Sequence, residues 1–360
     1  MRLLILFFLF ALIRVSAQDT LIIQFAGDIM CHEAQIEAAR DPETGAYDFS
    51  ETFEEVSPLF SRADAVIANL ETTLAGPPYQ GYPRFSSPDE LVAACREAGI
   101  GHLVTANNHA CDKGKKGILR TIGVLELLDI DHTGTFRDTA DRRRHNLMIL
   151  QKGNLRTGIL NYTYGTNGLP VPSPTRVNLI DTVQMLEDLA SAQDDSLDML
   201  IVFLHWGEQY QPLPNARQRE IARFLFTHGV DMIIGSHPHV LQPMEFDPEG
   251  KEGKGTLIVN SLGNFISNQR SRGRDGGALV QVRLVKTPET LRIDSVGYYL
   301  TWVRKYMDKG KWHFRILPCR KYEENGFDGL DPYSAEKMRL FLQDARHLLE
   351  MHNRNFPEIR

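Results

Sequence analysis

Six stretches of this chain end in side chains that can bind a cation or move a proton. Asp28 follows Gly27, and Glu71 closes Asn69-Leu70-Glu71. Asn107-Asn108-His109, His205-Trp206-Gly207 and His237-Pro238-His239 supply amides and imidazoles, and Asn264 ends a sixth run. Imidazole nitrogen suits borderline divalent ions such as zinc, manganese or iron. Pro238 restrains the backbone between His237 and His239, so their rings keep a set relation. Asn108 offers a carbonyl oxygen as a ligand, and a histidine such as His109 can serve as a general acid beside a metal. Asp28, Glu71, Asn108, His205, His237 and His239 make six candidate ligands. Six exceed one tetrahedral site and suit two divalent ions sharing a carboxylate and a water, which can activate that water and stabilise a leaving oxygen. Local readings compete: Asp28 and the asparagines are also turn formers or caps, and Glu71 an ordinary surface acid.

The elements that must carry these residues are short apolar, β-branched runs bounded by turn residues, which read as buried strands. They are Leu21–Ala26, Ala65–Ala68, His102–Thr105, Met199–Leu204, Val230–Ile234 and Thr256–Val259. Helical patterns separate them at Pro88–Ala98, Lys115–Leu128, Asn178–Ala190 and Ala216–His228. Strand–helix alternation predicts a largely parallel sheet covered by helices, with ligands beyond the carboxyl ends of the strands. Ala278–Val285, Leu291–Val303 and Trp312–Leu317 read as later strands completing a second sheet. Ser334–Met351 reads as an amphipathic helix with Met338, Phe341, Leu342, Ala345, Leu348 and Leu349 on one face. Gly76–Ser87, Gly165–Pro174 and Asn268–Gly277 read as loops near the site.

Residues 1–17 combine Arg2, the apolar run Leu3–Ile13 and the small residues Ser16-Ala17, and read as a secretory signal cleaved after Ala17. The expectation is an exported protein, periplasmic or extracellular, with no later membrane span, and membrane-associated if the signal is retained. Residues 18–325 are read as one domain and 326–360 as a helical extension packed on it. The net charge of −6 carries no broad basic excess, which argues against nucleic acid as a partner. Cys31, Cys95, Cys111 and Cys319 lack the spacing of a zinc knuckle or redox dithiol.

Six matching stretches in order resemble the poly-gamma-glutamate capsule biosynthesis family, CapA, itself similar to calcineurin-like metallophosphoesterases. They are Phe25-Ala26-Gly27-Asp28-Ile29-Met30, Ala68-Asn69-Leu70-Glu71, Ala106-Asn107-Asn108-His109-Ala110, His205-Trp206-Gly207-Glu208, the run from Gly235 to Pro243, and Ser261-Leu262-Gly263-Asn264-Phe265. The resemblance covers about residues 21 to 268. It implies an α/β fold, a four-layer α/β/β/α sandwich of the metallo-dependent phosphatase type. It implies that Asp28 and His239 hold a first metal, that Asn108, His205 and His237 hold a second, and that Glu71 stands for the usual bridging aspartate. His109 becomes the proton donor, and a metal-bound water the nucleophile. Met30 departs from the pattern, standing where phosphoesterases usually carry histidine, and His32 is the candidate to compensate. Asn107 and Glu208 are candidates either to bind metal or to orient the residues that do. Trp206, Asn264, Arg270 and Arg272, with Arg274 nearby, are candidates to meet an anionic substrate. The implied function is a metal-dependent hydrolase acting on a phosphate ester or an anionic envelope polymer such as poly-gamma-glutamate, with capsule-synthesis proteins as partners. The alternative is an envelope protein that supports polymer synthesis or export without turnover.

Overall fold

The computed structural model describes residues 18–193, 195–250 and 253–359; the expected leader, residues 1–17, lies outside them. Strand alternation explains the layers. In strand β1 (Asp19–Ile29), Leu21, Ile23 and Phe25 face one core and Ala26 another. In the strand Met199–His205, Ile201 and Phe203 join the core of Leu21, while Leu200, Val202 and Leu204 join a third. Successive side chains leave a strand on opposite faces, so each strand stitches two layers together.

The first sheet takes β1, β2 (Ala65–Leu70), β3 (His102–Val104) and β4 (Asp131–Thr133) in parallel order. The second contains β6 (Met148–Lys152), β7 (Leu155–Thr163), β9 (Met199–His205), β10 (Met232–Ser236), β11 (Leu241–Asp247) and β12 (Thr256–Leu262). Its order is β11-β12-β10-β9-β7-β6, parallel in the middle and antiparallel at both edges. Strands β5 (Thr135–Phe136) and β8 (Arg176–Val177) form a small separate pair. Val280, Val282, Ile67, Met232, Ile234 and Val259 fill the space between the sheets with the β1 and β9 residues. Leu91, Val92 and Cys95 of helix Glu90–Ala98 cover the first sheet from outside. Met185 and Leu189 of helix Thr182–Gln193, with Ile221 and Leu225 of helix Ala216–Thr227, cover the second. The result is the four-layer α/β/β/α sandwich.

The late strands differ from expectation. Strands β13 (Asn264–Ile266), β14 (Gly276–Lys286), β15 (Leu291–Asp308) and β16 (Lys311–Pro318) do not complete the second sheet. They belong to the first, where β14 runs antiparallel to β1 from Asp19–Lys286 to Phe25–Val280. Strand β1 is long enough to expose a whole edge, and β14 buries Val280, Val282 and Leu284 between the sheets while satisfying it. The helix expected from Asn178 begins at Thr182, because the Asn178 amide instead donates to the Asn161 carbonyl at 3.0 Å. Met338, Phe341, Leu342, Ala345 and Leu349 of helix Pro332–His352 enter the core between the sheets. Among the described residues no helix is long and apolar enough to cross a membrane. All four cysteines are buried free thiols.

Candidate metal centre

The carboxyl ends of β1, β2, β9 and β10 converge across the two sheets. A register shift between Ala26 and Asp28 on the β2 side re-aims Asp28 at the end of β1. Gly27 permits it: a Cβ there would lie 2.0 Å from the Gly263 carbonyl oxygen, which accepts from the Asp28 amide at 3.1 Å. Asp28 Oδ1 accepts from the Asn69 side chain at 2.7 Å, and Oδ2 lies 3.1 Å from His239 Nδ1. Glu71 leaves the end of β2 with Oε1 at 3.6 Å from His205 Nε2 and 3.7 Å from His239 Nε2.

These side chains form two ligand clusters, Asp28-Glu71-His239 and Glu71-His205-His237, with the ligand atoms of each within 4.8 Å of one another. Glu71 belongs to both. Its two oxygens are buried and have no hydrogen-bond partner. Burial, then the charge of Asp28, pushes its carboxyl well above the usual range. A bare carboxylate in such a place is costly, and a cation removes the cost. Carboxylate and imidazole donors therefore fit a divalent metal.

The imidazoles are held ready. His205 Nδ1 contacts Ser236 Oγ at 3.0 Å and the Asn69 amide at 3.1 Å, while Nε2 faces Asn108 Oδ1 at 2.7 Å and His237 Nδ1 at 3.1 Å. Burial, then neighbouring histidines, keeps His205 well below the ordinary imidazole range and brings His237 to about 3. Neutral imidazole is the ligating form. His237 and His239 have φ of 97° and 57°, a left-handed backbone that costs energy and concentrates at functional sites. Asn69 links Asp28 to His205 and was not singled out in the sequence, where it reads as one more strand-end amide.

His109 approaches from the side, with Nε2 at 4.0 Å from Glu71 Oε1. Its Nδ1 donates to Asp112 Oδ2 at 2.7 Å, and the same oxygen accepts from the Phe85 amide at 2.7 Å. Sequence reasoning missed Asp112, although its spacing three residues after His109 on a tight turn was a usable signal. Asn107 donates to the Leu70 carbonyl at 2.7 Å and accepts from the His109 amide at 3.1 Å, so it shapes the loop rather than offering a ligand atom.

A cleft of about 890 Å³ opens over the clusters, with Asn108, His109, His237 and His239 in its lining. Several sequence-nominated residues lie elsewhere. Trp206 is buried in the outer core of the second sheet and donates to the Asn260 carbonyl, because its ring follows the strand's apolar face. Arg270 is held 3.8 Å from Asp275, and Arg272 is bound to Asp344, so neither lines the cleft. Arg274 stacks on Tyr210 at 3.3 Å. Asn264 is buried with Oδ1 at 3.1 Å from His239 Nδ1, which holds that ring rather than a substrate. Glu208 lines the rim and accepts from Asn215 at 3.3 Å; among the described residues it orients no histidine. His32 lines the cleft near buried Met30, with Nδ1 between Gln35 Oε1 at 3.2 Å and the Asn268 amide at 3.3 Å, and it joins neither cluster. Burial lowers His32 to about 4. Tyr164, with its ring 4.5 Å from that of His237, and Arg84 line the cleft unanticipated.

Comparison with known proteins gives the family and the fold. The family described as "Bacterial capsule synthesis protein PGA_cap" matches residues 22–269. The PGA biosynthesis protein CapA of Bacillus subtilis (strain 168) is 31% identical over 284 residues, covering 76% of this chain and 70% of that protein. The capsule biosynthesis protein CapA of Bacillus anthracis is 28% identical over 285 residues, covering 76% and 66%. The chain thus spans about two thirds of the length of these relatives. A candidate 5′-nucleotidase from Staphylococcus aureus, solved with alpha-ketoglutarate, shares the fold at a TM-score of 0.50 and 13% identity, over 90% of this chain and 58% of that one. The extent of the family match and the relationship to the Bacillus subtilis protein together show that the chain belongs to the bacterial capsule synthesis protein family PGA_cap.

Proposed function

We propose that this chain is a metal-dependent hydrolase acting on an anionic substrate, either a phosphate ester or a γ-glutamyl polymer of the cell envelope. The observation that carries the reading is Glu71: a buried carboxylate without a hydrogen-bond partner, shared by two ligand clusters, with His109 4.0 Å away. Divalent ions held there supply Lewis acidity toward the scissile bond and toward an attacking water. Asp28, Glu71 and His239 would hold one ion, and Glu71, His205 and His237, with Asn108 beside them, would hold the other. Asp112 fixes the His109 ring so that Nε2 faces the cleft, where it can give a proton to a leaving oxygen or nitrogen. Tyr164 walls the side of His237. The names of the Bacillus relatives support a polymer of the envelope, and the reading of residues 1–17 as a secretory signal supports export.

The test is metal analysis together with turnover on p-nitrophenyl phosphate, bis(p-nitrophenyl) phosphate and γ-linked polyglutamate. We expect bound manganese, iron or zinc, and hydrolysis lost in H237A with the metal and in H109A without metal loss. Full hydrolysis by metal-stripped protein would overturn the proposal. Met30 and the engaged His32 favour a second reading, in which the protein supports polymer synthesis or export without turnover. Metal-loaded protein inactive on the whole panel, with polymer production dependent on the chain, supports that reading instead.

A further inference from the structure

The cleft has one side chain whose purpose the metal centre does not explain. Arg84 is the only lysine or arginine among the described residues that line it. Its guanidinium has no hydrogen bond or ion pair among the described residues, whereas nearby Arg270, Arg272 and Arg274 are each occupied by Asp275, Asp344 and Tyr210. The backbone that carries it is fixed on both sides. Gln80 and Ser86 exchange amide hydrogen bonds at 2.9 and 2.8 Å, closing the loop. Phe85 is fully buried, its amide donates to Asp112 at 2.7 Å, and its carbonyl accepts from Thr73 at 2.6 Å. The same Asp112 oxygen holds His109, so the loop of Arg84 and the ring of His109 share one anchor.

We infer that Arg84 is a specificity-determining residue that binds an oxyanion of the substrate away from the bond being cleaved. The inference rests on the hydrolase reading of the cleft and narrows it to substrates with at least two anionic groups. The ligand clusters meet the group that reacts; Arg84 meets the next one. A planar guanidinium on a fixed loop can bind a carboxylate or phosphate through two parallel hydrogen bonds, with less entropy lost per hydrogen bond than a lysine would lose. The shared chemistry is an oxyanion, and it has two sources: a neighbouring carboxylate in a γ-linked glutamate chain, or a second phosphate.

Calorimetric titration of the metal-loaded protein with γ-linked pentaglutamate and with propane-1,3-diol bisphosphate separates the sources. The wild type should bind one of these probes, more weakly at high salt. R84Q should lose roughly tenfold or more in affinity for it, as expected for a charge-assisted bidentate contact, and R84K should recover part. Bound metal and the melting temperature should stay unchanged, since Arg84 is exposed. The loss in kcat/KM on p-nitrophenyl phosphate, which has no second anion, should be smaller than the loss in affinity for the probe. R84Q binding its probe as the wild type does, or a wild type that binds neither, overturns the inference. Failure of the hydrolase reading looks different: probe binding intact and Arg84-dependent, with no turnover on any substrate.

Discussion

His109 and Asp112 are joined by a hydrogen bond of 2.7 Å from Nδ1 to a carboxylate oxygen that also holds the Phe85 amide. The arrangement fixes which ring nitrogen faces the cleft, a positioning role one step removed from the reacting atoms. D112N should therefore lower kcat by ~100-fold, the low end of what a general acid contributes, while metal content is unchanged. H109A should do the same, and the double variant should be little worse than either, because the two act as one unit. Additive losses would show that Asp112 acts by another route.

Glu71 makes opposite predictions with and without metal. In chelator-treated protein, E71M removes a buried carboxyl that has no hydrogen-bond partner and should stabilise the fold by ~1–3 kcal/mol. With manganese or zinc present the order should reverse, since the wild type gains the ion's binding energy and the variant loses a ligand from both clusters. Thermal melts in chelator and in metal, alongside metal stoichiometry, check both halves.

Two glycines should respond with opposite sign to the same change. A methyl at Gly27 collides with the Gly263 carbonyl at 2.0 Å, so G27A should cost ~1–3 kcal/mol and weaken metal binding through Asp28. At Gly123, in helix Gly114–Leu127, a methyl meets nothing within 4 Å. G123A should stabilise by ~0.5–1 kcal/mol by lowering the entropy of the unfolded chain and leave metal binding alone. Equal effects at the two positions would contradict the close approach at Gly27.

Acid stability has an identifiable contributor at Glu51, which ties the Ser50–Phe53 turn to β15 and β16. Partial burial raises its pKa, but hydrogen bonds from His313, Tyr306 and Arg315 outweigh that and bring it from 4.5 to about 2. A carboxyl depressed in the folded state stabilises above its unfolded pKa, and the contribution fades as pH falls toward the folded one. Wild type should thus melt above E51Q at pH 6, and the gap should close between pH 4.5 and 2. A gap independent of pH would assign the loss in E51Q to packing rather than charge.

Much of the centre was legible in the sequence because its carriers are local. An apolar run followed by Gly27-Asp28, or by His237-Pro238-His239, declares both the strand and the chemistry at its end. What could not be read were choices made by distant neighbours. Arg270 and Arg272 resembled free cations on a loop until Asp275 and Asp344 arrived to bind them. Trp206, next to a ligand in sequence, points to the opposite face of the second sheet and is lost to the core. Asp112, Asn69 and Tyr164 gained their roles from side chains 3 to 136 positions away, with Tyr164 set beside His237. His32 stood ready to replace Met30 as a ligand, yet it lies outside both clusters, its Nδ1 between Gln35 and the Asn268 amide.

Sequence alone offered the strand ends, six candidate ligands and the family pattern, since those depend on periodicity and on residue chemistry within short windows. Only the tertiary structure decided that Asp28 and Glu71 come from one sheet and His205, His237 and His239 from, or just beyond, the other. It also placed β14 to β16 beside β1 and left Arg84 as the free cation of the cleft among the described residues. The physical reason is that sheet pairing and ion pairing are long-range competitions. Which edge β14 satisfies, and which acid each arginine finds, depends on the packing of the whole chain.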